Sequence, residues 1–187
     1  MNNQPQLRFP WLSLARGIFY ILLGGAMFVY ANTFSQGTGR VLGIITLLAG
    51  SVGLSYGLMN RQQDPNTIWS ILHGLSDIAF GITFMVVAGN GLKSYLDMLG
   101  FWAVMFAFLQ SVQAMYVALM AGGSSLVTKA IHFASVALAG YLSFTILLRP
   151  TGLINSLGMM GFFPIGLGIL IIVLARRSAQ KPMSVAR

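Results

Sequence analysis

The stretch HGLSDIAFG, from His73 to Gly81, places an imidazole and a carboxylate, His73 and Asp77, four residues apart in a run otherwise apolar enough to lie in hydrocarbon. On a helix that spacing puts the two side chains one turn apart on one face, where they can meet. The chemistry open to such a pair is proton binding. Histidine titrates near ~6.5, so modest acidification charges it, and the carboxylate supplies a counter-charge. Nucleophilic chemistry is not expected, because Ser76 adjoins Asp77 and points elsewhere, so the three polar residues do not compose a triad. The chain offers two His, three Asp, no Glu and no Cys, none at a metal-binding spacing. Lack of Cys also removes disulfides and thiol nucleophiles. A non-enzymatic protein without metal or cofactor is expected.

Composition names the elements that must hold these residues. Of 187 residues, 56% are hydrophobic and 7% charged, too few charges to cover a soluble domain. Six apolar segments are long enough to cross ~30 Å of hydrocarbon. They run about Trp11 to Tyr30, Val41 to Met59, Ile68 to Ala88, Leu99 to Met120, Thr128 to Leu148 and Leu153 to Ala175. The links are short, so one six-helix membrane domain is expected over 11–175, between a cytoplasmic tail at 1–10 and a basic cytoplasmic tail at 176–187. An all-α integral membrane fold is the reading.

The net charge of +8 comes from basic residues set singly between apolar runs. That pattern suits membrane topology and anionic lipid at the cytoplasmic face rather than nucleic acid. Arg8, Arg16, Arg61, Lys129, Arg176, Arg177, Lys181 and Arg187 fall on one side, and Arg40, Lys93 and Arg149 on the other. This asymmetry places both termini in the cytoplasm. Trp11, Trp69, Tyr30 and Tyr95 fall near helix ends, as an aromatic belt requires. Arg8, Arg16 and the apolar run ending in Val29-Tyr30-Ala31 also have the form of a secretory signal. A repeat that uses this run as its first helix favours its retention.

That repeat is read from spacing. Arg16, His73 and His132 are each followed eight residues later by a glycine, Gly24, Gly81 and Gly140. Gly43, Gly100 and Gly158 each follow a Leu and lie 27, 27 and 26 residues beyond the same three polar residues. Arg40, Asp97 and Asn155 stand three residues before those glycines, at the expected outer ends. The expectation is three two-helix units of about 11–59, 68–120 and 128–175. Since each unit crosses twice, the units are parallel, and a pseudo-threefold arrangement about the membrane normal follows. Parallel units differ from the inverted repeats that build midplane sites in many secondary carriers.

Through ARGIFYILLGGAMF, LGIITLLAGSVGLSYGL, HGLSDIAFGITFMV and the paired spacing, residues 12–175 resemble the HdeD family of bacterial membrane proteins. The resemblance implies a multi-pass protein of the bacterial cytoplasmic (inner) membrane associated with acid or general stress resistance. It brings no catalytic or transport residues with it.

The glycines are expected to pack helices, with Ala49, Gly53 and Gly57 on one face of the second helix. Pro164 is expected to kink the sixth. For the polar set Arg16, His73, Asp77 and His132, two readings stay open. One is structural glue, with Arg16 snorkelling to the cytoplasmic interface. The other is a proton-sensing or proton-moving cluster, which includes a small channel or carrier for protons or a small solute. The expected partners are the lipid bilayer and its anionic lipids; a homo-oligomer or a membrane-protein partner is left open.

Overall fold

Two helix starts in this chain, those of the second and fourth crossings, are set by local chemistry rather than by the edges of the apolar runs. A computed structural model describes residues 9–64, 66–119, 126–148 and 157–179, with backbone alone at 142, 145–148 and 177–179. The first helix, α1 (Trp11–Val29), follows its apolar run closely. The second, α2 (Gln36–Asn60), begins five residues before the expected Val41, because Ser35 accepts the Thr38 N–H at 3.2 Å and caps the first turn. α3 (Thr67–Val87) continues into a single 3-10 turn, Ala88–Asn90. α4 (Leu92–Leu119) starts seven residues before the expected Leu99. Gly91 has φ 91°, a backbone state that a Cβ disfavours, and it turns the chain so that the polar Lys93, Ser94 and Asp97 become the first turns of α4.

α5 (Leu126–Leu148) is followed by a sixth crossing in two pieces, α6 (Leu157–Met160) and α7 (Phe162–Ala179). The break at Gly161 is the expected effect of Pro164, which lacks an N–H for the Met160 carbonyl and crowds it. The chain instead closes Gly161 N–H to Gly158 O at 2.9 Å and Ile165 N–H to Gly161 O at 3.3 Å. Five helices are long and apolar enough to cross a membrane, and α5 is apolar over Leu126–Tyr141. Together they make a six-helix membrane protein, all helical among the described residues. Asn155, Arg8, Arg149, Lys181 and Arg187 lie outside the described residues.

Each crossing packs on its neighbours in sequence, α5 meeting the α7 part of the sixth, and the ring closes where α7 meets α1. The closest pairings join the second helix of one unit to the first helix of the next: α2 with α3, α4 with α5, and α7 with α1. Three parallel pairs around a common axis produce this order. Glycines explain two of the close pairings. A Cβ on Gly50 would lie 2.8 Å from the Gly74 carbonyl oxygen, and one on Gly74 would lie 2.8 Å from that of Gly50. Seven residues to one side, Gly43 and Gly81 repeat the relation at 2.8 and 2.9 Å, and seven to the other side Gly57 meets the Thr67 carbonyl at 3.0 Å. Between α1 and α7, Gly17 faces Gly168 and Gly24 faces Gly161 in the same reciprocal way. Small residues at heptad spacing on antiparallel helices let the backbones themselves touch.

Gly158 meets Ala31 and Phe28, and Gly161 packs against Gly24. Two sequence expectations about glycines change. Gly140 does not copy Gly24 and Gly81: a Cβ there would meet nothing within 4 Å. α5 turns His132, Ser135, Ala139 and Ser143 inward and leaves Phe133 and Tyr141 exposed, so Gly140 lies off the interface. Gly53 faces the Arg16 side chain at 3.0 Å rather than a helix backbone. Gly100 is buried on α4.

Candidate functional site

Arg16 and Tyr20 are one turn apart on α1, and both are buried against α3. From α3, Asp77 enters the same space with 0% exposure. Its Oδ2 accepts from Arg16 Nη2 at 2.8 Å and from the Tyr20 hydroxyl at 2.7 Å, and its Oδ1 accepts from Trp102 Nε1 of α4 at 3.0 Å. Arg16 Nη2 also reaches the Tyr20 hydroxyl oxygen at 3.2 Å. Three helices therefore share one carboxylate. Asp77 lies ten residues into α3, about 15 Å by the ~1.5 Å rise per residue. A bare charge at that depth costs at least ~2.5–3.5 kcal/mol; an ion pair with two further donors is the arrangement that offsets it.

Arg16 does not snorkel. Its side chain is 9% exposed and turned inward, and Gly53 of α2, having no side chain, leaves room for its Cδ and Nε. Nor does His73 pair with Asp77. The carboxylate oxygens are engaged by Arg16, Tyr20 and Trp102, and neither ring nitrogen of His73 has a hydrogen-bond partner. His73 is 4% exposed and lies against the Phe106 ring with centroids 4.6 Å apart; Gln113 of α4 stands beside it outside hydrogen-bond geometry. His132 forms a separate contact from α5, its Nδ1 2.9 Å from Gln110 Nε2 of α4. Of the four polar residues singled out by spacing, the fold joins Arg16 and Asp77 directly and leaves the histidines as neighbours.

Tyr20, Trp102 and Gln110 were not anticipated as members of this layer. A signal existed for the first: Tyr20 and Asp77 are 57 residues apart, the repeat length, as are Arg16 and His73. Equivalent positions of two units thus bond to each other. The third unit carries Val136 at the place of Tyr20 and Asp77, so the layer is lopsided.

Beyond the carboxylate, the interior is filled by rings. Trp102 packs against Tyr20, Phe84, Phe106 and Phe163 at centroid distances of 5.5 to 6.3 Å, and Trp102, Tyr20 and Phe84 are 0% exposed. Chemically, the site holds a charge-balanced ion pair in a sealed aromatic setting, with one unpartnered imidazole at its edge.

No curated protein and no solved structure matches the chain. A family match does exist, over the stretch that carries Arg16, Tyr20, His73 and Asp77 and takes in most of α1, all of α2 and nearly all of α3. Residues 15–86 match the family described as a short repeat of unknown function, DUF308, the family to which HdeD belongs.

Proposed function

We propose that this chain is a non-enzymatic, multi-pass protein of the bacterial cytoplasmic membrane that serves resistance to acid or envelope stress, with its buried polar layer as the acid-responsive element. The observation that carries the reading is the division of roles in that layer. Asp77 has both oxygens engaged, whereas His73 is enclosed beside it without a partner. Facing His73 are Arg16 from α1, Phe106 and Gln113 from α4 and His132 from α5, with Trp69, Ser76 and Asp77 on its own helix. At neutral pH, Arg16 and Asp77 balance. Protonating His73 adds a cation near Arg16 and finds no free counter-charge, because Asp77 is already committed. Like charges in low dielectric repel more than in water, so acidification loosens the layer. Replacing both histidines, His73→Gln with His132→Gln, keeps polarity and removes titration. The double variant is expected to flatten any dependence of intrinsic fluorescence on acidification and to lower acid survival. Wild-type survival with an unchanged fluorescence response would reduce the histidines to structural residues.

A small proton or solute channel is the rival reading, and the mid-depth Asp77 is its support. The ring packing of Trp102, Phe84, Phe106 and Phe163 stands in the way of a through passage. Proton flux into liposomes, compared for wild type and Asp77→Asn, separates the two readings; the proposal expects neither protein to conduct.

Orientation follows from charge. Arg61 and Arg176 are exposed at one end of the bundle, and Arg40 and Lys93 at the other. Reporter domains fused after Arg187 or within 61–64 are expected to report cytoplasm, where the basic end also meets anionic lipid. A fusion at Gly91 is expected to report periplasm. A periplasmic C-terminus would contradict the six-crossing topology.

A further inference from the structure

Buried side-chain polar atoms without a hydrogen-bond partner are few among the described residues, and they are not scattered. They are Arg16 Nε, Trp69 Nε1, both ring nitrogens of His73 and Ser76 Oγ. Trp69, His73 and Ser76 stand at i, i+4 and i+7, which is one stripe of a helix. The stripe runs ~10 Å at ~1.5 Å per residue, from near the Thr67 end of α3 to the level of Asp77. Arg16 Nε belongs to the ion pair at its inner limit. α4 covers the stripe: Trp69 faces Tyr116 with centroids 6.0 Å apart, and His73 faces Phe106, with Gln113 beside it. The close glycine contacts of α3 are made to α2 instead, so the α3 to α4 seam is the looser side of this helix.

An orphaned polar atom costs about 1–3 kcal/mol when kept dry, and hydrocarbon offers no substitute partner. A buried water, by contrast, is stable where two to four polar groups surround it. The stripe supplies an indole donor, an imidazole donor and acceptor, and a hydroxyl that serves as either. We propose that the α3 to α4 seam is a one-sided hydrated cleft that brings water and hydronium from the Thr67 end of the bundle to His73 and Ser76, and ends at the Asp77 to Trp102 hydrogen bond. The rings of Trp102, Phe84, Phe106 and Phe163 close it beyond that point. The cleft deepens the acid-responsive reading by naming the proton route. It rests on that reading for its purpose and on the unpartnered stripe for its existence.

The chain contains no Cys, so single introduced thiols report cleanly. Ser76→Cys in the full-length protein, in sealed membrane vesicles of either orientation, is treated with a membrane-impermeant charged methanethiosulfonate. The reagent attacks the thiolate, which water favours and apolar surroundings disfavour, so Ser76→Cys is expected to be labelled ~10-fold or more faster than Leu75→Cys, and only from the side of Thr67. Leu75 is 51% exposed toward lipid. Equal slow labelling at both positions would show a dry seam, and equal labelling of Ser76→Cys from both sides would show a pore; either overturns the proposal. The wild-type protein provides a second measurement that needs no variant: in D2O, the Trp69 indole N–H is expected to exchange rapidly and that of Trp102 to stay protected. Protection of both would likewise overturn the cleft. Fast labelling together with an unchanged pH response in the double histidine variant would keep the cleft and remove the acid-responsive reading. Slow labelling with a lost pH response would do the reverse.

Discussion

Asp77→Asn is expected to lower the stability of the folded protein by about 3–5 kcal/mol, the cost of leaving one half of a buried ion pair uncompensated. The Arg16 guanidinium, 2.8 Å from Oδ2 with its side chain 9% exposed, would keep its charge and lose the anion that offsets its removal from water. Arg16→Gln is expected to cost a similar amount by stranding the carboxylate, although Tyr20 and Trp102 still donate to it. The double variant Arg16→Met with Asp77→Leu is expected to be more stable than either single one, since removing both charges also removes both desolvation penalties. Reversible unfolding in mixed detergent micelles measures all three. A loss below about 1 kcal/mol for Asp77→Asn, the size of an exposed pair, would mean that water reaches the guanidinium.

The second large effect concerns glycines that look alike in sequence. Gly24→Ala would push a methyl group into the Gly161 carbonyl and against Ile165 Cγ1 at 2.6 Å, and Gly81→Ala would place one 2.7 Å from Leu47 N and 2.9 Å from Gly43 O. These neighbours include backbone, which yields only if the helices separate. Each substitution is expected to cost about 1–3 kcal/mol or more. Gly25→Ala and Gly140→Ala meet nothing within 4 Å and are expected to gain about 0.5–1 kcal/mol by removing a mid-helix glycine. Thermal melting of the four variants decides. If Gly140→Ala destabilised as much as Gly24→Ala, α5 would occupy the same position in its unit as α1 and α3 do in theirs.

The contrast between Gly24 and Gly140 also marks how far the sequence could be read. Hydropathy located the six crossings, because the length of each apolar run is a property of the chain itself. It misplaced the starts of α2 and α4, because a Ser35 cap and a Gly91 turn extend helices into polar residues that do not register as membrane-spanning. Repeat spacing linked Arg16 to the layer of His73, and depth alone required Asp77 to have a partner. Which partner it took was not legible. The reach of the arginine depends on the space left by Gly53, and the competition for Asp77 was decided by Tyr20, signalled only by its repeat-length offset, and by Trp102, which sequence alone offers as apolar filling. The third unit resisted because Pro164 and Gly161 break the register and the α5 face turns away from the pattern of α1 and α3.

In the proposed function, a charge-balanced lock on Asp77 loosens when the neighbouring imidazole gains a proton. The indole N–H of Trp102, bonded to Asp77 Oδ1 at 3.0 Å, reports the lock directly. With 15N-labelled tryptophan in lipid nanodiscs, its resonance is expected to hold at neutral pH, to move toward that of an unbonded indole on acidification, and to stay fixed over the same range in the His73→Gln and His132→Gln double variant. A Trp102 resonance indifferent to pH, or one that moves equally in the double variant, would contradict the claim.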